Sequence, residues 1–309
     1  PILRLKGHYL AVATLGFGLL IAITLANEAA WTGGPDGMPV PRLMLFGWRI
    51  AGAATWYWIT ATTFLLGAVV ALNLIDFSDR FFLVRIKGEE ELGLYAIGMR
   101  ISAALLFVLA AFRTAWPAFA YSLPEDEAKR TYGFVLTYVT FFASWAAVAL
   151  GLCSPWIIHL LTTPDFYGGA HVVPVLVFAF VVFGMYIVVV TSIGRAGRRG
   201  SNWMITGAAA LFNVALNLIL IPPFGMTGAA ISMVASYFAM FLGITWKAQR
   251  VFPVQYQWRR VALAIGAAVA LVVTGKVVHG GLAAAIGLTA LYPFVLAGVG
   301  FYLPQERAR

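Results

Sequence analysis

The sequence predicts an all-α fold: a polytopic transmembrane helical bundle of about nine spans. Hydrophobic residues make up 61% of its 309 residues and charged residues only 11%, whereas a soluble domain usually carries about 25% charged residues. Apolar runs recur along the whole chain, and about 20 apolar residues let a helix cross the hydrocarbon core. A cleaved signal peptide would contribute one such run at the N-terminus and then stop.

Each predicted span is an apolar run of about this length. The spans are residues 9–30, 59–84, 92–121, 131–152, 172–194, 201–221, 227–246, 259–278 and 282–303. Residues 43–58 are also apolar, but Arg42 and Arg49 flank and interrupt them, and their tryptophans suit a membrane interface. We therefore expect these residues to form an interfacial lead-in helix or a bent extension of the following span.

The basic residues between the spans predict the orientation. One set of alternate gaps holds 11 Lys and Arg residues, in 123–130, 195–200, 247–260 and the C-terminal tail. The other set holds only 3, in 85–91, 153–171, 222–226 and 275–281. Because positive residues favour the cytoplasmic side, we expect a multi-pass protein of the inner (cytoplasmic) membrane with a cytoplasmic C-terminus. The orientation of residues 1–58 stays open.

Several other functions lack support in the sequence. The net charge of +9 comes from these gaps and not from one continuous basic face, so no nucleic-acid partner is expected. The loop from Gly194 to Gly200 has the wrong glycine spacing for a nucleotide fingerprint and is interpreted as a cytoplasmic turn. The four histidines are scattered and Cys153 is the only cysteine, so we predict no metal site. No cofactor and no catalytic residue are predicted.

Charged residues inside the spans are candidates for a function, because a charge in lipid is costly and usually faces a cavity or a partner. Arg100 and Arg113 lie in the span 92–121, and Asp79 and Arg80 lie near the outer end of the preceding span. One interpretation is that Asp79 and Arg80 anchor the interface and that Arg100 reaches outward to it. The other is a cationic substrate-binding cavity formed by Arg80, Arg100 and Arg113, since arginine can donate two hydrogen bonds to phosphate.

Asn213 and Asn217 lie four residues apart on one helix face, and their amides need partners within the bundle. We interpret them as structural contacts between helices. Pro222 and the proline after it are expected to end that helix. Gly225 and Gly228 then predict a tight hairpin with close helix approach.

Four segments, in the same order, resemble signatures of the polysaccharide flippases, which move O-antigen or exopolysaccharide repeat units. These belong to the multidrug/oligosaccharidyl-lipid/polysaccharide exporter superfamily. The segments are Asp79 to Phe82 followed by Gly93 and Tyr95; Ala115 to Phe119; Phe166 to Leu176; and Asn213, Asn217 and Ile221 to Ala230. The resemblance covers about residues 59–246.

The resemblance implies a fold of two six-helix lobes around a central cavity. It also implies that undecaprenyl-pyrophosphate-linked oligosaccharide crosses the cytoplasmic membrane by alternating access. Residues 59–246 would form the second lobe, 1–58 the end of the first, and 247–309 two additional spans with a cytoplasmic tail. The expected partners are a lipid-linked anionic oligosaccharide, membrane lipids, and a missing N-terminal lobe or partner chain.

Three alternatives stay open at this level. A cation-coupled drug antiporter of the same superfamily would need carboxylates at mid-span, but Asp76 and Asp79 lie near a membrane face. A polytopic glycan polymerase or acyltransferase would need a catalytic loop, and the segment 153–171 offers only His159, Asp165 and His171 as titratable candidates. A truncated lobe could also act as a scaffold that transports nothing.

Overall fold

The computed structural model describes residues 44–45, 48–49, 52–197, 202–278 and 281–302, with the backbone alone for 44–45, 48–49 and 61–77. The elements are β1 (Met44–Leu45), β2 (Trp48–Arg49), α1 (Ala53–Lys87), α2 (Glu89–Ser122), α3 (Glu125–Leu161), a 3₁₀ helix (Pro164–His171), α4 (Val173–Arg195), α5 (Asn202–Val251), α6 (Trp258–Val278) and α7 (Leu282–Gly298). The chain divides into two compact units, residues 1–69 and 70–309. The bundle described below belongs to the second unit.

The helices confirm the all-α, multi-pass prediction. From residue 59 onward, helical segments lie at each of the eight predicted positions, with α5 supplying two of them. Helices α2 to α6 are each long and apolar enough to cross a membrane, while α7 is apolar but shorter, at 17 residues. The predicted span 9–30 lies outside the described residues.

The prediction of an interfacial helix over residues 43–58 is wrong for its first part. Strands β1 and β2 pair antiparallel there, with Leu45 opposite Trp48. Phe46 and Gly47, which separate the two strands in the sequence, lie outside the described residues. Gly52 has a φ of 92°, which an α-helix cannot contain, and α1 begins at the next residue. From there α1 continues into the following span, as the alternative interpretation expected.

Helix α4 is the centre of the bundle. Of its 23 residues, 16 are buried. It packs against α2, α3 and α5. Its residues are apolar on every side, and a helix of that kind is stable when other helices surround it. Gly98 of α2 and Gly184 of α4 allow close approach: a Cβ at Gly98 would overlap Val172, and one at Gly184 would lie 2.9 Å from Leu109.

Helix α5 is a hairpin of two limbs, 202–224 and 226–251. Its ends meet, since Lys247 Nζ donates to Asn202 Oδ1 at 2.6 Å. The predicted hairpin is therefore present, but the prediction that Pro222 ends the helix is wrong. The break lies at Gly225, which has φ 54° and ψ −132°, and helical geometry continues through both prolines. Glycine alone readily adopts this backbone conformation, so it determines where the chain reverses.

The last two helices pack against α3 and form a second apolar cluster with it. Its buried rings include Phe141, Tyr292 and Phe301. The Tyr292 hydroxyl donates to the Ala264 carbonyl at 3.1 Å, and Trp145 Nε1 of α3 donates to the Thr289 carbonyl at 2.8 Å. Residues 258–302 are therefore attached to the bundle by both apolar packing and hydrogen bonds.

Candidate functional site

A buried polar cluster joins α1, α2 and the first limb of α5. It consists of Ser78, Asp79, Tyr95, Asn213 and Asn217, and we call it the polar cluster. Ser78 is 6% exposed and the other four side chains have no exposed surface. The helix spacing produces part of it, because residues four apart, such as the two asparagines, lie on one face.

The carboxylate of Asp79 accepts hydrogen bonds at both oxygens. Asn217 Nδ2 donates to Oδ1 at 2.6 Å, and the Tyr95 hydroxyl donates to Oδ2 at 3.1 Å. Ser78 Oγ donates to Asn213 Oδ1 at 2.5 Å, and Asn217 Nδ2 also approaches that oxygen, at 3.1 Å. Asp79 of α1 thus links α2, through Tyr95, to α5, through Asn217. These links are strong, because hydrogen bonds to a charged group are stronger than those between neutral groups.

The two asparagines keep unused hydrogen-bonding capacity. Within the described residues, Asn213 Nδ2 and Asn217 Oδ1 are buried without a hydrogen-bond partner. Leaving such an amide atom unsatisfied costs about 1–3 kcal/mol. Asn217 Oδ1 thus stays available as an acceptor close to a buried carboxylate, and oxygens of these two kinds are ligands that hard cations accept.

Glu91 fixes the turn of the α5 hairpin. Its Oε1 accepts a hydrogen bond from the backbone nitrogen of Met226 at 2.8 Å, at the start of the second limb. The carboxylate thereby satisfies an N–H that the helix itself cannot bond. A Cβ at Gly225 would overlap this carboxylate, so the contact requires glycine at that position.

Replacing Glu91 with alanine is expected to destabilise the α5 hairpin by about 1 kcal/mol, the usual cost of losing such a cap. The matched control is Glu90→Ala, because Glu90 is the neighbouring carboxylate and is exposed. Thermal unfolding of both variants in detergent would measure the difference. Equal melting temperatures would contradict the capping role.

The three arginines proposed as substrate contacts lie outside the polar cluster. Arg80, Arg100 and Arg113 are all exposed. Arg100 and Arg113 are 13 positions apart on α2, which separates them by about 20 Å along the helix. Their surroundings on α2 are apolar and also exposed, with Phe107 at 81% and Val108 at 66%. The structure therefore does not bring the arginines together into one small anion site.

Sequence reasoning identified some members of the polar cluster and missed others. Asp79, Asn213 and Asn217 were assigned structural roles from their positions in the spans. In the sequence, Tyr95 stands out only as a motif residue, and nothing in the pattern around Ser78 or Glu91 indicates a role for them. The position of Asp79 differs from the interface-anchor interpretation, since its side chain is fully buried while Arg80 beside it is exposed.

Comparisons with known proteins find partial similarity to membrane proteins. No protein family model matches the chain, and no solved structure matches it. It is 47% identical over 55 residues to the high-affinity branched-chain amino acid transport system permease protein LivM of Escherichia coli, and 52% identical over 48 residues to that of Salmonella typhimurium. These alignments cover 18% and 15% of this chain.

A longer and weaker similarity links the chain to an uncharacterized membrane protein of Methanocaldococcus jannaschii, 26% identical over 131 residues, or 42% of this chain. The chain spans only 13%, 11% and 26% of the lengths of these three relatives. Together with the apolar helices, the comparisons support a multi-pass membrane protein with a segment similar to part of a transport permease.

Proposed function

We propose that this chain is a transporter lobe of the polysaccharide flippase type and not an enzyme. It would move undecaprenyl-pyrophosphate-linked oligosaccharide across the cytoplasmic membrane by alternating access, with a first lobe or a partner chain. The supporting observation is that residues from separate motif segments meet in the polar cluster. Asp79 and Asn217 are 138 residues apart in the sequence and are joined at 2.6 Å.

The polar cluster suits a lobe that moves as one body. Alternating access in transporters is largely a rocking of one rigid bundle against another. Hydrogen bonds from α1 to α2 and α5, together with apolar packing around α4, oppose motion within this bundle. Conformational change would then occur at the surface that the bundle presents to its partner.

The exposed face of α2 is the proposed substrate surface. Since Arg100 and Arg113 are about 20 Å apart, one phosphate cannot contact both. An extended lipid-linked substrate can contact them at separate places, or one after the other as it moves. Each arginine could donate a bidentate hydrogen bond to a pyrophosphate oxygen pair.

Alanine substitution of Arg100 or Arg113 is expected to lower transport about tenfold, and the double substitution to lower it further. A hydrogen bond to a charged group contributes about 1.5–3 kcal/mol, and about 1.4 kcal/mol corresponds to a factor of ten. The measurement is the transport of labelled lipid-linked glycan in vesicles that contain the complete protein. Arg85→Ala, at the exposed end of α1, is the matched control. Unchanged transport in both alanine variants would contradict the cationic substrate surface.

Cation coupling is a second candidate that the structure favours more than the sequence did. The objection to it was that Asp79 lies near a membrane face, yet the side chain is fully buried within protein. A buried carboxylate next to an uncommitted amide oxygen suits a small cation or a proton. Transport measured with and without a sodium or proton gradient tests this: rates that depend on neither gradient would contradict it.

A branched-chain amino acid permease is a third candidate, favoured by the short segment that is about half identical to LivM. Uptake of labelled leucine in a strain without its own permease distinguishes it from the flippase proposal. Restored leucine uptake without glycan transport would favour the permease.

A further inference from the structure

Among the described residues, a further cavity has no lining residue from the polar cluster or from α2. The end of α3, the 3₁₀ helix and the end of α6 form its walls, and its volume is about 710 Å³. Three residues that can carry a positive charge line it, one from each of these elements: His159, His171 and Lys276. Among the described residues that line it there is no Asp or Glu.

These basic residues are unexpected on this side of the protein. The segments 153–171 and 275–281 belong to the gaps that hold only 3 Lys and Arg residues, and Lys276 is one of those 3. His159, His171 and Lys276 each lie in the last turn of a helix, where a cation complements the helix dipole. That effect does not explain why three such helix ends surround one cavity.

The aromatic residues of the cavity suit a membrane interface. Trp156 and Tyr167 also line it, and the rings of His159 and Tyr167 are in contact, with centroids 3.9 Å apart and planes tilted by 33°. Tryptophan and tyrosine are enriched at the level of lipid headgroups, because one part of each side chain is apolar and the other is polar. The cavity thus combines basic side chains with rings that tolerate both water and lipid.

We propose that this cavity binds a phosphate group carried by a lipid headgroup. Imidazolium and ammonium groups donate charge-assisted hydrogen bonds to phosphate oxygens. The volume is within the range of small-molecule pockets and far exceeds that of one phosphate ion, leaving room for the glycerol part of a lipid. The proposal rests on the cavity alone and does not depend on what the chain transports.

The test measures lipid binding to the purified full chain in detergent by native mass spectrometry. Phosphatidic acid is the probe, and diacylglycerol with the same acyl chains is the uncharged control. We expect the double substitution Lys276→Gln and His171→Gln to weaken phosphatidic acid binding about tenfold. Lys87→Gln, an exposed lysine from another gap of the same set, should leave it unchanged. Equal affinity for the double variant and the unmodified chain would overturn the proposal.

Competition identifies the source of the phosphate. If inorganic pyrophosphate displaces phosphatidic acid, the phosphate alone supplies the affinity and the proposed lipid specificity is wrong. If it does not, the lipid part contributes and the headgroup assignment stands.

A second measurement needs no substitution, so it does not depend on how the variants fold. Diethyl pyrocarbonate modifies accessible histidines, and peptide mapping resolves His159 and His171. Phosphatidic acid, but not diacylglycerol, is expected to slow modification of both histidines several-fold. The same modification rate with either lipid would contradict occupation of the cavity.

Discussion

Replacing Asp79 with alanine is expected to destabilise the protein more than any other single change in the polar cluster. The substitution removes the charged acceptor of two buried hydrogen bonds, from the Tyr95 hydroxyl and from Asn217 Nδ2. A hydrogen bond to a charged group contributes about 1.5–3 kcal/mol, so the loss of both is expected to cost roughly 3–6 kcal/mol. That corresponds to a fall of at least about 5 °C in the apparent melting temperature, measured by size-exclusion chromatography of heated samples in detergent.

Two further variants separate the charge of Asp79 from its shape. Asp79→Asn keeps the volume and one acceptor oxygen, so we expect a loss smaller than for alanine. Arg80→Ala removes the exposed neighbouring side chain and should change the melting temperature by less than about 1 °C, since exposed substitutions usually have small effects. If Arg80→Ala were as harmful as Asp79→Ala, the effect would belong to this part of α1 in general and not to the buried carboxylate.

Transport by the Asp79 variants distinguishes a structural role from cation coupling. If Asp79 only holds helices together, Asp79→Asn should transport at a rate that follows its remaining folded fraction. If Asp79 also binds a cation or proton, Asp79→Asn should remain folded yet lose the dependence of transport on the gradient. The same vesicles can report both quantities.

Gly225→Ala is expected to have the second largest effect on stability. The backbone there has φ 54° and ψ −132°, which costs a residue with a Cβ of the order of 1–3 kcal/mol. The new methyl group would also overlap the Glu91 carboxylate and displace it from the Met226 nitrogen. Both effects weaken the turn between the two limbs of α5.

The control is Gly207→Ala in the first limb of the same helix. A Cβ at Gly207 would contact nothing within 4 Å, and alanine favours a helix over glycine by about 1 kcal/mol. We therefore expect Gly207→Ala to leave stability unchanged or raise it, while Gly225→Ala lowers it. If the Gly225→Ala variant has the same melting temperature as the unmodified protein, the chain can reverse direction without a positive φ at this position.

The positions of the spans could be predicted from the sequence because the bilayer imposes a length and an apolar composition on each of them. Those two constraints act locally, and the eight segments from residue 59 onward follow them. Local detail was less predictable. Pro222 was expected to end a helix that continues to Gly225, because the break depends on a φ angle and on the Glu91 contact from another helix.

The candidate sites show the same limit more clearly. The spacing of Asn213 and Asn217 indicated that their amides need partners, but it could not say which ones. Asp79 and Asn217 are 138 residues apart in the sequence, and they become partners only because the fold places α1 beside α5. The three basic residues of the cavity likewise show no pattern in the sequence that would group them. Only the tertiary structure places them around one space.

The sequence by itself therefore determined the fold class, the span positions and the helix faces that needed polar partners. These follow from hydrophobic length, helical period and backbone chemistry, which act over a few residues. The tertiary structure decided that Asp79 is buried, that Arg100 and Arg113 lie on an exposed face, and that His159, His171 and Lys276 share a cavity. Those outcomes depend on which distant helices pack together, and no local pattern encodes that choice.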